Sequence, residues 1–199
     1  MYQLLGRATS GNVQKVMFLL EELGVPYERH DYGRQFENTT TAEYLSMTPT
    51  AKVPTLRDGD LSIWESHTIL RYLASKEKAA QLYPTDLAAR TQVERWMDWM
   101  LASLNPVFLA GFRDAKKPEA ERAADTGKNL AAELKILEGQ LSKTPWIAGS
   151  NLSIADIALG PVVRRCVAFP FGLPATPAIA AWLERLNARP AFRTATAAG

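Results

Sequence analysis

The sequence predicts an α+β protein in which an α/β segment precedes an all-helical segment. Within the first 80 residues, short apolar runs typical of strands alternate with helical periodicities, whereas beyond residue 86 only helical periodicities remain. We therefore expect two domains, residues 1–79 and 86–199. The stretch 80–85, which contains Pro84 and has no sustained apolar period, is the predicted linker.

The first half opens with a predicted strand, helix and strand. Tyr2–Leu5 is a short apolar run ended by Gly6, and the residues from Val13 to Leu23 place apolar side chains at three- and four-residue steps. Gly24 and Pro26 end that helix, and Tyr27–Asp31 alternates as a half-buried strand does. The order predicts a β-α-β unit, followed by a polar stretch through Thr41.

A hairpin and a further helix complete the first half. The apolar runs Val53–Leu56 and Leu61–Trp64 flank an Asp58-Gly59 turn, which is a strong hairpin signal. The apolar residues Ile69, Leu70 and Leu73 then predict a helix from about Glu65 to about Glu77.

The second half is predicted to be a helical bundle. Its apolar stripes are Val93, Trp96, Met97, Met100 and Leu104, ending at Pro106; Leu130, Leu134, Leu137 and Leu141; and Ile179, Trp182, Leu183 and Leu186, ending before Pro190. Between the last two stripes, Leu152–Ile157 has the pattern of a capping box, in which Ser153 and Asp156 satisfy each other's backbone amides. We interpret Asp156 as structural and the leucine stripe as core.

Composition limits the function classes. The chain of 199 residues is 47% hydrophobic and 22% charged with a formal net charge of +2, which is ordinary for a globular protein and far from the basic excess of a nucleic-acid binder. A run of about 18 apolar residues, as a membrane span requires, does not occur. The single cysteine, Cys166, cannot form an internal disulfide or a cysteine-rich zinc site. We expect a soluble cytoplasmic protein without metal, nucleic-acid or membrane partners.

Two turns of the first half have residues suited to binding an anion or an amino-acid group. Thr9–Val13 places hydroxyls beside a helix N-terminus, where unpaired amides favour negative charge; the alternative is that Ser10 or Asn12 only caps the helix. At Glu65-Ser66, the carboxylate suits an ammonium group while Ser66 and the helix amides suit a carboxylate; the alternative is a helix start with a first-turn acid.

The third stretch, Thr50–Leu56, has Pro54 at the entrance to a strand. Proline is tolerated there, and it leaves the backbone of Val53 open to pair with an extended ligand. A cis Val53-Pro54 bond fits such a site, although trans is the commoner form.

These residues together resemble the glutathione S-transferases, and above all the bacterial serine-type members related to the theta and phi classes. The resemblance covers nearly the whole chain and is carried by Ser10-Gly11-Asn12, Val53-Pro54, Glu65-Ser66 and the Ser153–Asp156 capping box. It implies a thioredoxin-like first domain, an all-helical second domain, a homodimer and conjugation of glutathione to small hydrophobic electrophiles. Glutathione would be the co-substrate, and no cofactor is implied.

The resemblance also implies residue roles. Ser10 would hydrogen-bond the glutathione thiolate, with Thr9 and Asn12 as alternatives. The backbone of Val53, before a cis Pro54, would pair with the cysteinyl part. Glu65 and Ser66 would hold the γ-glutamyl end, and Lys52, or else Arg34 or His30, the glycyl carboxylate.

Several positions depart from the family pattern. Thr39 and Thr40 stand where the phi class has two basic residues, Thr48-Pro49 replaces Asn-Pro, and Ala51 replaces a glycine. The first turn also lacks the cysteine of the thiol-disulfide branches, which leaves Cys166, interpreted as a core thiol.

The electrophile would bind in the helical half. We expect Trp99, Phe108 and Arg165 there, among further aromatic residues at Trp96, Phe112, Phe169 and Phe171. Two alternatives to a conjugating transferase stay open. One is a glutathione-dependent dehalogenase, isomerase or peroxidase on the same scaffold, and the other is a non-catalytic binding protein.

Overall fold

In the computed structural model, which describes residues 1–198, four strands form a mixed sheet in the order β2-β1-β3-β4. These are β1 (Tyr2–Leu5), β2 (Tyr27–His30), β3 (Thr55–Asp58) and β4 (Leu61–Trp64). β1 runs parallel to β2 and antiparallel to β3. Leu56 of β3 faces Leu4 on one side and Ile63 on the other, and all three side chains are buried. The predicted hairpin is confirmed, with its turn at Gly59-Asp60 and β3 two residues later than expected.

The helices of this half are α1 (Gly11–Leu23), α2 (Ala42–Met47) and α3 (Ser66–Lys76), with a 3-10 turn at Arg34–Phe36. Gly24 ends α1 in the left-handed conformation at φ 64°, and its amide bonds back to the last turn. The short helix α2 lies where we expected only polar loop. Its start signal is present, because Thr41 Oγ1 accepts from the amide of Tyr44 at 3.2 Å, but six residues are too few to show a helical period.

Residues 13–20 of α1 are buried on every face. One face packs on α3, and another packs on α9 (Pro190–Thr196), where the rings of Phe18 and Phe192 meet edge to face at 5.2 Å. Arg189 forms an ion pair with Glu22 beside this contact. The sequence predicted residues 86–199 as one helical domain, which would group α9 with the other helices of the second half. In the structure, residues 187–198 belong to the same compact unit as residues 1–83.

The second unit spans Pro84–Leu186 and is helical. Its elements are α4 (Leu87–Trp99), a π-helical segment (Met100–Leu104), α5 (Asn105–Asp114), a 3-10 turn (Glu119–Glu121), α6 (Thr126–Leu141), α7 (Ile154–Val167) and α8 (Pro177–Asn187). The predicted helix end at Pro106 is wrong. The π turn precedes the proline, which lies in the first turn of α5, so the helical path continues past it. The four leucines of α6 are buried, as expected of a bundle core. Within residues 1–198, we find no helix long and apolar enough to cross a membrane.

Asp156 joins three segments of this unit. Its Oδ2 accepts from the amide and hydroxyl of Ser153, at 2.9 and 3.0 Å, and its Oδ1 accepts from the Ile147 amide and the Trp182 indole, both at 2.9 Å. Burial raises the pKa of this carboxyl, while the four donated hydrogen bonds act in the opposite direction. The capping box is confirmed, and the carboxylate also ties the loop before α7 to α8.

Replacing Asp156 by alanine leaves three buried N–H donors without their acceptor. We expect Asp156→Ala to lower the free energy of unfolding by about 3–5 kcal/mol and Ser153→Ala by about 1 kcal/mol, because the latter removes only the weaker cap. Urea unfolding followed by circular dichroism measures both. Glu184→Ala, at an exposed carboxylate on α8, is the control and should stay within about 0.5 kcal/mol of wild type. Equal losses for Asp156→Ala and the control would contradict this role.

Candidate active site

The first turn of α1 presents a serine hydroxyl that the helix itself does not use. Ser10 is the N-cap residue, with an extended backbone at φ −80° and ψ 123°, and is 8% exposed. Its carbonyl accepts from the Gln14 amide at 2.9 Å, but within the described chain its hydroxyl makes no capping bond. The amides of residues 11–13 precede the first intrahelical donor and point out of the helix start. The turn therefore offers a hydroxyl and a positive helix end to an anion.

A cleft in the same unit brings together six of the predicted residues. It has a volume of ≈ 40 Å³ and is lined by Asn12, Thr50, Lys52, Val53, Pro54, Glu65 and Ser66. The Val53-Pro54 peptide bond is cis. Ser10 is not among the lining residues but lies two positions before Asn12, so the hydroxyl-rich turn adjoins the cleft in sequence. Thr50 is a lining residue that the sequence reasoning did not single out.

Two residues at the cleft have positive φ without being glycine. Glu65, the residue before α3, has φ 67° and ψ 114°, and Ala51, between Thr50 and Lys52, has φ 53°. Such a conformation costs an L-residue about 1–3 kcal/mol and persists only where the surrounding structure holds it. At position 51 it also explains why glycine is the residue that the family pattern favours there.

Helix α2 supports the loop that bears Lys52 and Val53. The buried Tyr44 donates its hydroxyl to the carbonyl of Lys52 at 2.8 Å and lies 3.1 Å from Thr55 Oγ1. Burial raises the pKa of the Tyr44 phenol, so it stays a donor at neutral pH. Tyr44 thus contacts the residues on both sides of Val53-Pro54, through the backbone of Lys52 and the side chain of Thr55. Sequence reasoning missed it because α2 itself was missed.

A buried lysine and histidine link α1 to α3 behind these two helix starts. Lys15 is fully buried, and its Nζ lies 3.2 Å from Nε2 of His67, the second residue of α3. Burial lowers the pKa of Lys15 to about 7, against a smaller opposing effect of the negative charge of Glu65. The charge state of Lys15 is therefore coupled to a residue of the cleft.

The residues predicted for the electrophile pocket lie in separate settings of the second unit. Phe108 is buried in an aromatic cluster and stacks on Phe169 at 5.9 Å. The half-buried Trp99 meets Trp96 edge to face at 5.2 Å, and Arg165 is half-buried near the end of α7. Their binding role stays a prediction. Cys166 is buried, and burial raises the pKa of its thiol to about 12, which makes it unreactive at neutral pH.

Comparison with known proteins identifies relatives over nearly the whole chain. Residues 2–75 match the family model of the glutathione S-transferase N-terminal domain, and residues 97–190 match that of the C-terminal domain. Glutathione S-transferase GstB of Escherichia coli K12 is 37% identical over 202 residues, covering 97% of this chain and 96% of the relative.

Solved structures give the same result. The theta class glutathione S-transferase of Xanthomonas axonopodis pv. citri, crystallised with glutathione bound, superposes with a TM-score of 0.89 at 35% identity, over 98% of this chain and 96% of the other. A glutathione S-transferase from Pseudomonas fluorescens superposes with a TM-score of 0.86 at 33% identity, over 96% of each chain.

Removing the buried lysine should change the pH dependence of stability. The pKa of Lys15 is about 7 in the folded chain and 10.5 in the unfolded chain, so the unfolded state binds the extra proton between these values. Stability of the wild type therefore rises with pH across this window, by about 1.4 kcal/mol per unit relative to Lys15→Met. Urea unfolding of both proteins between pH 7 and pH 9 measures the difference. A constant difference would show that Lys15 keeps its proton throughout.

Proposed function

Because the chain belongs to the glutathione S-transferase family, we propose that it conjugates glutathione to small electrophiles and that Ser10 activates the thiol. The activity is that of a glutathione transferase. The observation that carries the assignment to Ser10 is its hydroxyl, which makes no capping bond within the described chain although Ser10 occupies the N-cap position. An uncommitted hydroxyl at a helix start can donate to a sulfur anion.

The energetics of the turn are sufficient for this role. The thiolate is the reactive form of glutathione, and a free thiol of the cysteine type has a pKa of about 8.5. Lowering that pKa by about two units needs roughly 2.7 kcal/mol in favour of the thiolate. One hydrogen bond to a charged acceptor contributes about 1.5–3 kcal/mol, and a helix N-terminus about 0.3–1 kcal/mol. Ser10 and the first turn of α1 can supply the shift together.

The cleft residues supply the remaining contacts in this proposal. The Val53 backbone pairs with the cysteinyl unit of glutathione. Glu65 binds the γ-glutamyl ammonium, while Ser66 and the amides of α3 bind its carboxylate. Lys52, which is exposed at the cleft, binds the glycyl carboxylate. The support for these roles is that all four residues line one cleft.

We also propose that the chain acts as a homodimer in the cytoplasm. Exposed apolar side chains support the dimer: Leu61 and Trp64 on the edge strand β4 are 50% and 38% exposed, and Leu101 and Leu109 of the second unit are exposed as well. The cytoplasm is the expected compartment because its glutathione pool is kept reduced.

Replacing Ser10 by alanine should separate binding from activation. We expect Ser10→Ala to bind glutathione within a few-fold of wild type, but with the pKa of the bound thiol raised by about 1–2 units and kcat reduced about 10- to 100-fold. Calorimetry measures binding, and the ultraviolet absorbance of the thiolate against pH measures activation. Thr9→Ala and Asn12→Ala are the controls. If either of these raises the thiol pKa and Ser10→Ala does not, the donor is misassigned.

Sedimentation equilibrium should show a particle of twice the 22.0 kDa chain mass. We expect Trp64→Glu to shift the equilibrium toward the monomer, because it places a charge in the apolar edge of the interface. Lys78→Glu, at an exposed residue of the same unit, is the control and should leave the mass unchanged. A monomeric wild type at micromolar concentration would rule out the dimer.

A further inference from the structure

Arg7 lies in the turn that presents Ser10. Its amide donates to the carbonyl of Tyr32 at 3.1 Å, and its carbonyl accepts from the Ser10 amide at 3.1 Å. The backbone of Arg7 is therefore fixed on both sides, within one turn of the hydroxyl assigned to the glutathione sulfur. Arg7 is half-buried, so its side chain is held near this turn and does not extend freely into solvent.

The guanidinium of Arg7 occupies space that a missing side chain leaves open. Gly33 has φ 84°, and Arg7 Nη1 lies 2.9 Å from the position that a Cβ on Gly33 would take. Val53 Cγ1 lies 3.4 Å from the same position. A glycine at position 33 thus admits the guanidinium next to the side chain of Val53, whose backbone borders the cleft.

The charge that acts on Arg7 is another cation. Burial and the positive charge of Arg34 both lower the pKa of the Arg7 guanidinium, burial more strongly. Arg7 Nε is buried, and within residues 1–198 it has no hydrogen-bond partner. Arg34 follows Gly33 directly and itself has φ 48°. Two positively charged guanidinium groups therefore interact at this turn, and a bound anion would offset the cost of bringing them together.

In the proposed function, every charged group of glutathione already has a partner other than Arg7 and Arg34. Its two carboxylates are assigned to Ser66 with the start of α3 and to Lys52, its ammonium to Glu65, and its thiolate to Ser10. The remaining molecule at this turn during turnover is the second substrate, whose reactive carbon must meet the sulfur beside Ser10.

We propose that Arg7 and Arg34 bind a carboxylate on the electrophilic substrate, so that the enzyme prefers anionic electrophiles to neutral ones of the same shape. This inference rests on the proposed transferase function. Arginine suits the role because its planar fork donates two parallel hydrogen bonds to a carboxylate. The contact orients the electrophile with its reactive carbon toward the thiolate.

A chlorodinitrobenzoate and the corresponding chlorodinitrobenzamide make a matched pair of probes. With either probe, the sulfur–carbon bond forms as the carbon–chlorine bond breaks, chloride leaves with the electron pair, and the thiol proton goes to solvent. The two probes differ in charge and have nearly the same shape. Dinitrobenzoate and dinitrobenzamide lack the leaving group and report binding alone, to protein saturated with S-methylglutathione.

The variants Arg7→Gln and Arg34→Gln are compared with wild type and with Lys78→Gln, which removes an exposed positive charge of the same unit. We expect wild type to bind dinitrobenzoate more tightly than dinitrobenzamide, with a matching preference in kcat/KM for the chlorinated pair. Each arginine variant should weaken dinitrobenzoate binding about 10- to 100-fold and leave the benzamide within about two-fold. Arg34 is exposed, so its variant tests the proposal even if Arg7→Gln fails to fold.

Three results would overturn the proposal. Equal binding of the two unreactive probes by wild type would show that the turn does not select charge. A raised KM for glutathione with both chlorinated probes would place the arginines on glutathione itself. A raised pKa of the bound thiol would make them part of thiolate stabilisation. A different result would separate the two proposals. If wild type turns over neither chlorinated probe but still binds dinitrobenzoate more tightly than dinitrobenzamide, the transferase function is contradicted and the anion site is supported.

Discussion

The chemistry proposed for this chain depends on the burial of α1. A helix start can stabilise a thiolate only if its amides stay fixed when the charge forms, because a dipole that must reorient gives back part of the stabilisation. Residues 13–20 are buried on every face, with α3 on one side and α9 on another. The Phe18–Phe192 ring contact and the Glu22–Arg189 ion pair anchor α1 at positions remote from its first turn. The first turn is therefore left open to a ligand while the rest of the helix is covered.

The loops that meet this turn keep unfavourable backbone conformations. Ala51, Glu65 and Arg34 all have positive φ without being glycine. Each conformation is stable only because neighbouring groups hold it. At Ala51, the hydroxyl of Tyr44 fixes the next carbonyl along the chain. Helix α2 thus has a specific use, since it brings a phenol to the loop whose backbone faces the cleft. The packed core thus holds these residues in backbone conformations that a free loop would not keep.

Sequence patterns predicted the elements that have a long period and missed those without one. The strands, the Asp-Gly hairpin, α1, α3 and the leucine stripe of α6 follow from spacing alone, because each repeats its signal over several residues. Helices α2 and α9, with six and seven residues, do not. Pro106 indicated a helix end, but the π turn before it satisfies the backbone and the helical path continues. A proline removes one backbone donor and restricts the adjacent residues, so its presence alone does not show whether the helix ends there.

The candidate site was predictable only where a residue type and a local turn coincide. Ser10, Val53-Pro54 and Glu65-Ser66 each lie at a helix or strand start, where the sequence indicates exposed backbone. Arg7 gave no such signal, and Arg34 was indicated only as an alternative ligand of the glycyl carboxylate. The guanidinium of Arg7 lies beside Val53 because Gly33 carries no side chain, and a sequence pattern does not show that contact. Thr50 lines the cleft without lying at a helix or strand start, so the sequence did not single it out.

Two acids that look alike in sequence show how the structure separates support from binding. Asp156 and Glu65 both occur at helix starts, and both fit a capping role. Asp156 is fully buried, and four internal donors use its oxygens, so it has no capacity for a ligand. Glu65 is exposed, lines a cleft and has a strained backbone at φ 67°. A carboxylate whose oxygens all accept hydrogen bonds from within the protein stabilises the fold. A carboxylate that faces solvent at a cleft keeps its oxygens available for a bound partner.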